Sequence, residues 1–265
     1  MVIDIHTHIF PDELAPKAKE TLTRNINYAF LPYTDLTKKG LLEVMDIWGV
    51  DISVIQTIIT KPSQLEKTNL WAHSVACDRV IPFGGIFPHS PTYKQDIDFV
   101  ASLGLKGIKF HAEYQDFYVD SPQMLKIYDY AFSKGLIIMQ HAGEDIGMPG
   151  PYKSNPQRFA RVVDQMQGGV MILGHLGGHR QWDQVYEHLM GKNIYLDTSM
   201  GFSYYSPEIF LKIVNAHDKD KILFGSDSPW SNGLEEIKKL KELIKDKERQ
   251  DLILYKNGAK ILNLK

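Results

Sequence analysis

Eight times along this chain a short apolar, β-branched run is followed by a stretch with helical spacing, and that alternation limits the available folds more than any other feature. The strand candidates are residues 2–8, 52–59, 80–87, 105–110, 136–140, 170–174, 194–198 and 222–225. Between them, Leu41, Leu42, Met45 and Trp48, or Met124, Ile127, Tyr128 and Ala131, recur as the stripes of amphipathic helices. Ser63, Ser121-Pro122, Asn155-Pro156 and Ser206-Pro207 read as helix starts, and Gly49, Gly104 and Gly135 as stops. The last helical pieces are expected over residues 234–243 and 249–264. Regular βα alternation argues for a parallel sheet with right-handed crossovers. Eight units in 265 residues fit one (β/α)₈ barrel domain spanning the whole chain. A doubly wound open sheet is the structural alternative.

In such a barrel the chemistry sits at the C-terminal ends of the strands. Strand 1 ends in His6 and His8, strand 4 runs through Lys109 to His111, strand 5 ends in His141, strand 6 in His175 and strand 8 in Asp227. Side chains alternate along a strand, so Asp4, His6 and His8 should point one way and Ile3 and Ile5 the other. Imidazoles two residues apart on a strand can reach one divalent ion.

The motifs Asp4-Ile5-His6-Thr7-His8, Gln140-His141-Ala142, Gly174-His175-Leu176-Gly177-Gly178 and Gly225-Ser226-Asp227-Ser228-Pro229-Trp230 resemble those of the amidohydrolase superfamily. The nearest branch is the amidohydrolase-related group that includes the aminocarboxymuconate semialdehyde decarboxylases. Tyr255 to Leu262 is similar to that group's closing helix, so the resemblance spans the chain. It implies a distorted (β/α)₈ barrel in which His6, His8, His141 and Asp227 hold one divalent metal, zinc first and manganese second. His175 would stand beside the activated water as a proton-transfer or orienting group. Asp227 would accept a proton and pass it to a leaving group, and Asp4 would accept the hydrogen bond that fixes a ligand imidazole. In binuclear members a carboxylated lysine or a glutamate on strand 4 bridges two metals. Lys109 lies on that strand, and were it to bridge, His175 would join the second ion; the simpler expectation is one metal, with Lys109 and His111 lining the pocket.

Trp230, Trp182, Phe202, Tyr204 and Tyr205 follow strand ends and either shape a pocket mouth or pack helices. Arg180 either pairs with a substrate carboxylate or makes a surface salt bridge. Gly143 to Gly150 reads as a lid or specificity loop. His73, His188 and His217 fall on helices and are assigned no chemistry.

The net charge of −2 offers no general attraction to nucleic acid or an anionic membrane. Cys77, the single cysteine, excludes an intrachain disulfide and a cysteine metal cluster. No run approaches a membrane span, and the N-terminus lacks a signal-peptide pattern, so a reducing cytoplasm is expected. A homo-oligomer is left open. The functional expectation is hydrolysis of a small-molecule amide, lactone or related bond. Non-oxidative decarboxylation of an unsaturated or aromatic carboxylic acid is the runner-up, and a catalytically silent metal-binding barrel the alternative of another class.

Overall fold

The computed structural model describes residues 1–166 and 168–264, through which eight parallel strands run in chain order. They are β1 (Ile3–Thr7), β2 (Ile52–Gln56), β3 (Val80–Phe83), β4 (Gly107–Phe110), β5 (Ile137–Gln140), β6 (Met171–Leu173), β7 (Tyr195–Asp197) and β8 (Ile222–Leu223). Strands β1 to β3 form one ladder and β4 to β8 another. Two seams join them. Gly84 N donates to Gly107 O at 2.8 Å and Lys109 N to Gly84 O at 2.9 Å. At the other seam, Ile5 N donates to Phe224 O at 2.9 Å, Asp227 N to His6 O at 2.8 Å and His8 N to Ser228 O at 2.6 Å. The sheet therefore closes on itself, a (β/α)₈ barrel rather than an open doubly wound sheet.

Ile3, Ile5, Val54, Phe83, Ile137, Met139, Ile172 and Leu223 pack together although they come from strands all round the sheet, which places them inside the barrel. Ile261 and Leu262 of the helix Asn257–Leu262 join this cluster. The alternate strand residues, among them Ile55, Ile108, Phe110, Ile138, Leu173 and Leu196, meet the surrounding helices in the larger core. Polar residues replace the interior apolar ones only toward the C-terminal strand ends, where Lys109 follows Ile108 and His141 follows Gln140.

Three helix starts follow the local rules. Ser121, Asn155 and Ser206 each accept a hydrogen bond from the backbone N–H three residues on, ahead of the helices Pro122–Ser133, Pro156–Gln165 and Pro207–Ala216. Gly49, at φ 72°, closes Lys38–Trp48. Ser63 does not cap: it lies inside a 3₁₀ turn, Pro62–Gln64, and the helix begins at Leu65. The strands are shorter than the apolar runs suggest, because residues past each C-terminal end leave the ladder to build loops. The closing helical segment is broken into Lys247–Asp251, a π turn over Leu252–Lys256 and Asn257–Leu262. Among the described residues no helix is long and apolar enough to cross a membrane.

One local departure matters for the site. The β1–β2 register shifts between Asp4 and Thr7, so the alternation of side chains breaks inside β1. Asp4 consequently does not share a face with His6. Its carboxylate accepts hydrogen bonds from Ser226 N (2.9 Å), Ser226 Oγ (2.5 Å) and His6 N (3.2 Å). Asp4 thus holds the β1–β8 seam and touches no imidazole, contrary to the alternation expected from sequence.

Candidate active site

At the C-terminal end of the barrel, Asp227 Oδ1 lies 3.1 Å from His8 Nε2 and 3.4 Å from His6 Nε2. These three residues form a compact group whose ligand atoms all lie within 4.8 Å of one another. Asp227 sits at φ 63° and His175 at φ 56°, a left-handed backbone that a non-glycine residue adopts at a cost of about 1–2 kcal/mol. The bond from Asp227 N to His6 O pins the first of these turns, and the bond from His175 N to Asp197 Oδ1 at 3.1 Å pins the second.

Asp197, at the end of β7, orders the centre. Its Oδ2 is 2.9 Å from His6 Nδ1 and its Oδ1 accepts from Ser199 N at 2.8 Å. Burial pushes the His6 imidazole below its ordinary pKa, and the Lys109 charge pushes it further, so the ring is neutral at pH 7 and donates Nδ1–H to Asp197. Although burial acts to raise Asp197, His6 and Ser199 hold its carboxyl low and anionic. The proton on Nδ1 leaves Nε2 with a lone pair facing the Asp227 carboxylate. Lys109 Nζ, 3.1 Å from His6 Nε2, can donate to that lone pair. Lys109 is only 1% exposed, and burial lowers its amine to about 8 against the pull of Asp197 and Asp227. Asp227 likewise stays anionic: burial would raise it, but the surrounding cationic field and the hydrogen bond with His8 hold it well below the carboxylate range.

His141 stands apart from the trio. Its ring stacks on His111 at 4.1 Å and 12°, its Nδ1 is 3.1 Å from His175 Nε2, and its Nε2 is 3.2 Å from the Glu144 carbonyl. His111 Nε2 in turn meets Asp145 Oδ2 at 3.1 Å, and its other face carries Tyr114 at 4.0 Å. Burial first, with neighbouring imidazoles adding to it, holds His141 well below its usual pKa. Burial also lowers His175 to about 4 and His179 to about 3. Ser199 Oγ joins His6 Nδ1 (3.0 Å) to His175 Nδ1 (3.1 Å).

The imidazoles, Lys109 and Asp227 face a cavity of about 830 Å³. The helix Ala15–Asn25 roofs it through Ala18 and Leu22, and Phe30, Trp71 and Trp230 extend its apolar wall. Trp230 therefore lines the cavity as anticipated, edge-on to Phe30 at 6.1 Å. Arg180 does not: it is exposed, lies over the Tyr204 ring at 5.2 Å, and borders a smaller cleft with Tyr152 and Asn25. Trp182 donates Nε1–H to His175 O at 3.1 Å, and Tyr205 and Phe202 pack beside it in the core. Of residues 143–150, Glu144 to Gly147 line the cavity. His73 Nδ1 bonds to Leu103 O at 2.9 Å and His217 Nε2 to Ile194 O at 2.8 Å. Sequence reasoning passed over Asp197 and Ser199 and placed Asp145 only within the candidate loop 143–150; the strand-end rule that selects His141 and Asp227 selects Asp197 as well.

A closed parallel barrel with histidines and an aspartate gathered at its C-terminal strand ends defines a class of enzymes whose chemistry is carried on those ends. The chain belongs to the amidohydrolase family, which it matches over residues 3–264. No curated protein matches it. Among solved structures it is similar to an uncharacterized TIM-barrel protein from Bordetella bronchiseptica, with TM-score 0.78 and 17% identity over 99% of this chain and 98% of that one. It is also similar to 5-carboxyvanillate decarboxylase from Sphingomonas paucimobilis, with TM-score 0.75 and 16% identity over 100% and 99%. A third similar structure is a probable 2-pyrone-4,6-dicarboxylic acid hydrolase from Acinetobacter baumannii with citric acid bound, with TM-score 0.67 and 15% identity over 99% of each chain. Identities this low speak for the shared fold.

Proposed function

We propose that this chain is a metal-dependent hydrolase of a small molecule, attacking an amide, lactone or related bond. The observation that carries the reading is the convergence of His6 Nε2, His8 Nε2 and Asp227 Oδ1 at the polar end of the cavity. The donor set suits a divalent ion. Two neutral imidazoles and a carboxylate are ligands for zinc, and manganese is also accommodated. His6 Nε2 and Asp227 Oδ1, two lone-pair atoms 3.4 Å apart, are stabilised by a cation placed between them. His6, His8 and Asp227 would hold the ion, with His141 brought in from its place beside His175. When bound, such an ion acts as a Lewis acid that makes water nucleophilic near neutral pH.

The remaining steps fall to the protein. Asp227, anionic and nearest both β1 imidazoles, takes the proton of the attacking water and delivers it to the leaving group. His175, neutral and tethered through Ser199, orients that water and can share the proton. Lys109 Nζ faces the developing negative charge on the substrate oxygen. Phe30, Trp71, Trp230 and the roof helix exclude bulk water around the apolar part of the substrate.

Lys109 also favours a second reading, decarboxylation, because its ammonium could anchor a substrate carboxylate beside the trio. Arg180, the other cation considered for that role, lies outside the cavity. The two readings separate on one panel of lactones, amides and aromatic carboxylic acids, followed by proton release and by CO₂ release. Hydrolysis that requires added zinc and disappears in Asp227→Ala is the expected result. CO₂ release without hydrolysis would favour the second reading, and neither activity across a broad panel would count against both.

A further inference from the structure

We infer that the substrate carries an extended, uncharged apolar tail, an acyl or alkyl chain of medium length, which lies under the roof helix Ala15–Asn25 while the bond to be cut sits at the His6, His8 and Asp227 trio. The inference rests on the hydrolase reading for the reacting group and deepens it by naming the substrate class. The roof helix supplies the first observation. Leu14, Ala18, Leu22 and Ile26 follow one another at four-residue steps, from the position before its first turn to the one after its last, and all four line the cavity. A helix of a globular protein ordinarily turns such a stripe onto a core. Among the described residues, none of the four belongs to either of the barrel's two apolar clusters. Within the helix only Ala15 and Thr23 are buried.

The wall below the helix repeats the pattern. Phe10 follows β1, Ile58 follows β2 and Trp230 follows β8, with Phe30 beyond the helix; each lines the cavity half-buried, and none joins either apolar cluster. The unpartnered apolar side chains are thus gathered on the β8–β1–β2 side of the barrel mouth, whereas Lys109, His111, His141 and His175 come from the ends of β4, β5 and β6 on the other. The charged side chains along the apolar side, Glu13, Lys17 and Lys67, are all exposed, so nothing buried there pairs with an ionic group. At about 830 Å³ the cavity stands near the top of the range of about 300–1,000 Å³ that small-molecule sites span, with room for a tail as well as a reacting group. An apolar chain laid there takes both its own surface and the open face of the roof helix out of water. In the hydrolysis, water gives its hydroxyl to the acyl carbon and its remaining proton to the departing nitrogen or oxygen as the C–N or C–O bond breaks, and the tail leaves with one of the products.

Two homologous series test this on the zinc-loaded full chain. Calorimetric titration with sodium alkanoates from butanoate to decanoate keeps the head group constant, so the slope of affinity against chain length reports the tail alone. Affinity should rise about threefold to fourfold for each added methylene. Leu22→Asp, checked for folding by circular dichroism, should flatten that slope, and Ala18→Trp should end it at a shorter chain; either serves if the other fails to fold. Ile47→Asp, on the exposed face of the helix Lys38–Trp48, is the control and should keep the wild-type slope. γ-Lactones with side chains from methyl to octyl, followed by proton release, should show the same trend in kcat/KM. A slope in binding without any hydrolysis would support the tail and overturn the hydrolase reading. Hydrolysis with no slope would do the reverse, and neither would overturn both. A slope lost equally in Ile47→Asp would make the binding nonspecific and overturn the inference. So would a dimer that Leu22→Asp dissociates and that shows no slope, since the face would then belong to a second copy of the chain.

Discussion

Asp197 Oδ2 stands 2.9 Å from His6 Nδ1, and through that contact a residue on β7 decides which nitrogen of a β1 histidine faces the cavity. The carboxylate is fully buried and also receives His175 N and Ser199 N, so it fixes two imidazole-bearing segments at once. An amide in its place could present its NH₂ to His6 and turn the ring's other tautomer outward. Asp197→Asn is therefore expected to weaken zinc binding about 10- to 100-fold with the fold retained. Competition with a chromogenic chelator measures this; unchanged affinity would remove Asp197 from the account.

Glu236 links stability to pH. It is buried on the helix Gly233–Leu243, accepts from Phe202 N at 3.3 Å, and is pushed by burial from the usual 4.5 up to about 8. Below the lower value the group is protonated folded and unfolded alike, and its contribution is intact. As pH rises toward 8 the unfolded chain releases a proton that the folded chain keeps, so stability falls by about 1.4 kcal/mol per unit and then levels off. Glu236→Gln lacks this loss. Urea unfolding at pH 5, 6, 7 and 8 should show the variant gaining on the wild type by about 2–4 kcal/mol over the window; parallel curves would refute the assignment.

Tyr128 and Gln140 make a buried pair, with Gln140 Nε2 donating to the Tyr128 hydroxyl at 2.9 Å. Among the described residues Gln140 Oε1 already lacks a partner. Tyr128→Phe would orphan the remaining polar end and is expected to lose about 1–3 kcal/mol. A variant as stable as the wild type in urea would mean that the amide finds another partner.

Gly143, at φ 87°, lies so close to the neighbouring segment that a Cβ would stand 2.2 Å from His179 N. Gly143→Ala is thus both conformationally strained and sterically blocked, and should cost more than about 1 kcal/mol while loosening residues 143–150. Limited proteolysis would show new cleavage in that loop; identical digestion patterns would argue that the backbone can yield.

The eight-unit alternation, the three serine or asparagine caps and the place of His6, His8, His141, His175 and Asp227 at strand ends could all be read from the chain, because each depends on short-range periodicity or on the end of a strand; the ligand set of His6, His8, His141 and Asp227 rested on the family resemblance. Asp4 could not. The register shift within β1 is a pairing irregularity with β2, and it sends Asp4 to Ser226 instead of the imidazoles. The grouping of His141 with His111 and Asp145 was hidden for a related reason: β4, β5 and a loop of no regular pattern meet there only in three dimensions. Arg180, left open in the sequence between a substrate contact and a surface position, takes the exposed one, just past the buried run 171–179.

The β1–β8 seam also sets a timetable. His6 and His8 are synthesised well before their partner Asp227 and the Ser226 that anchors Asp4. A nascent chain that stops before β8 has neither the closing hydrogen bonds nor the carboxylate, so its early histidines remain without a centre however well the first units have folded. Closure of the barrel and assembly of the His6, His8 and Asp227 group are therefore a single event, which waits on the last strand.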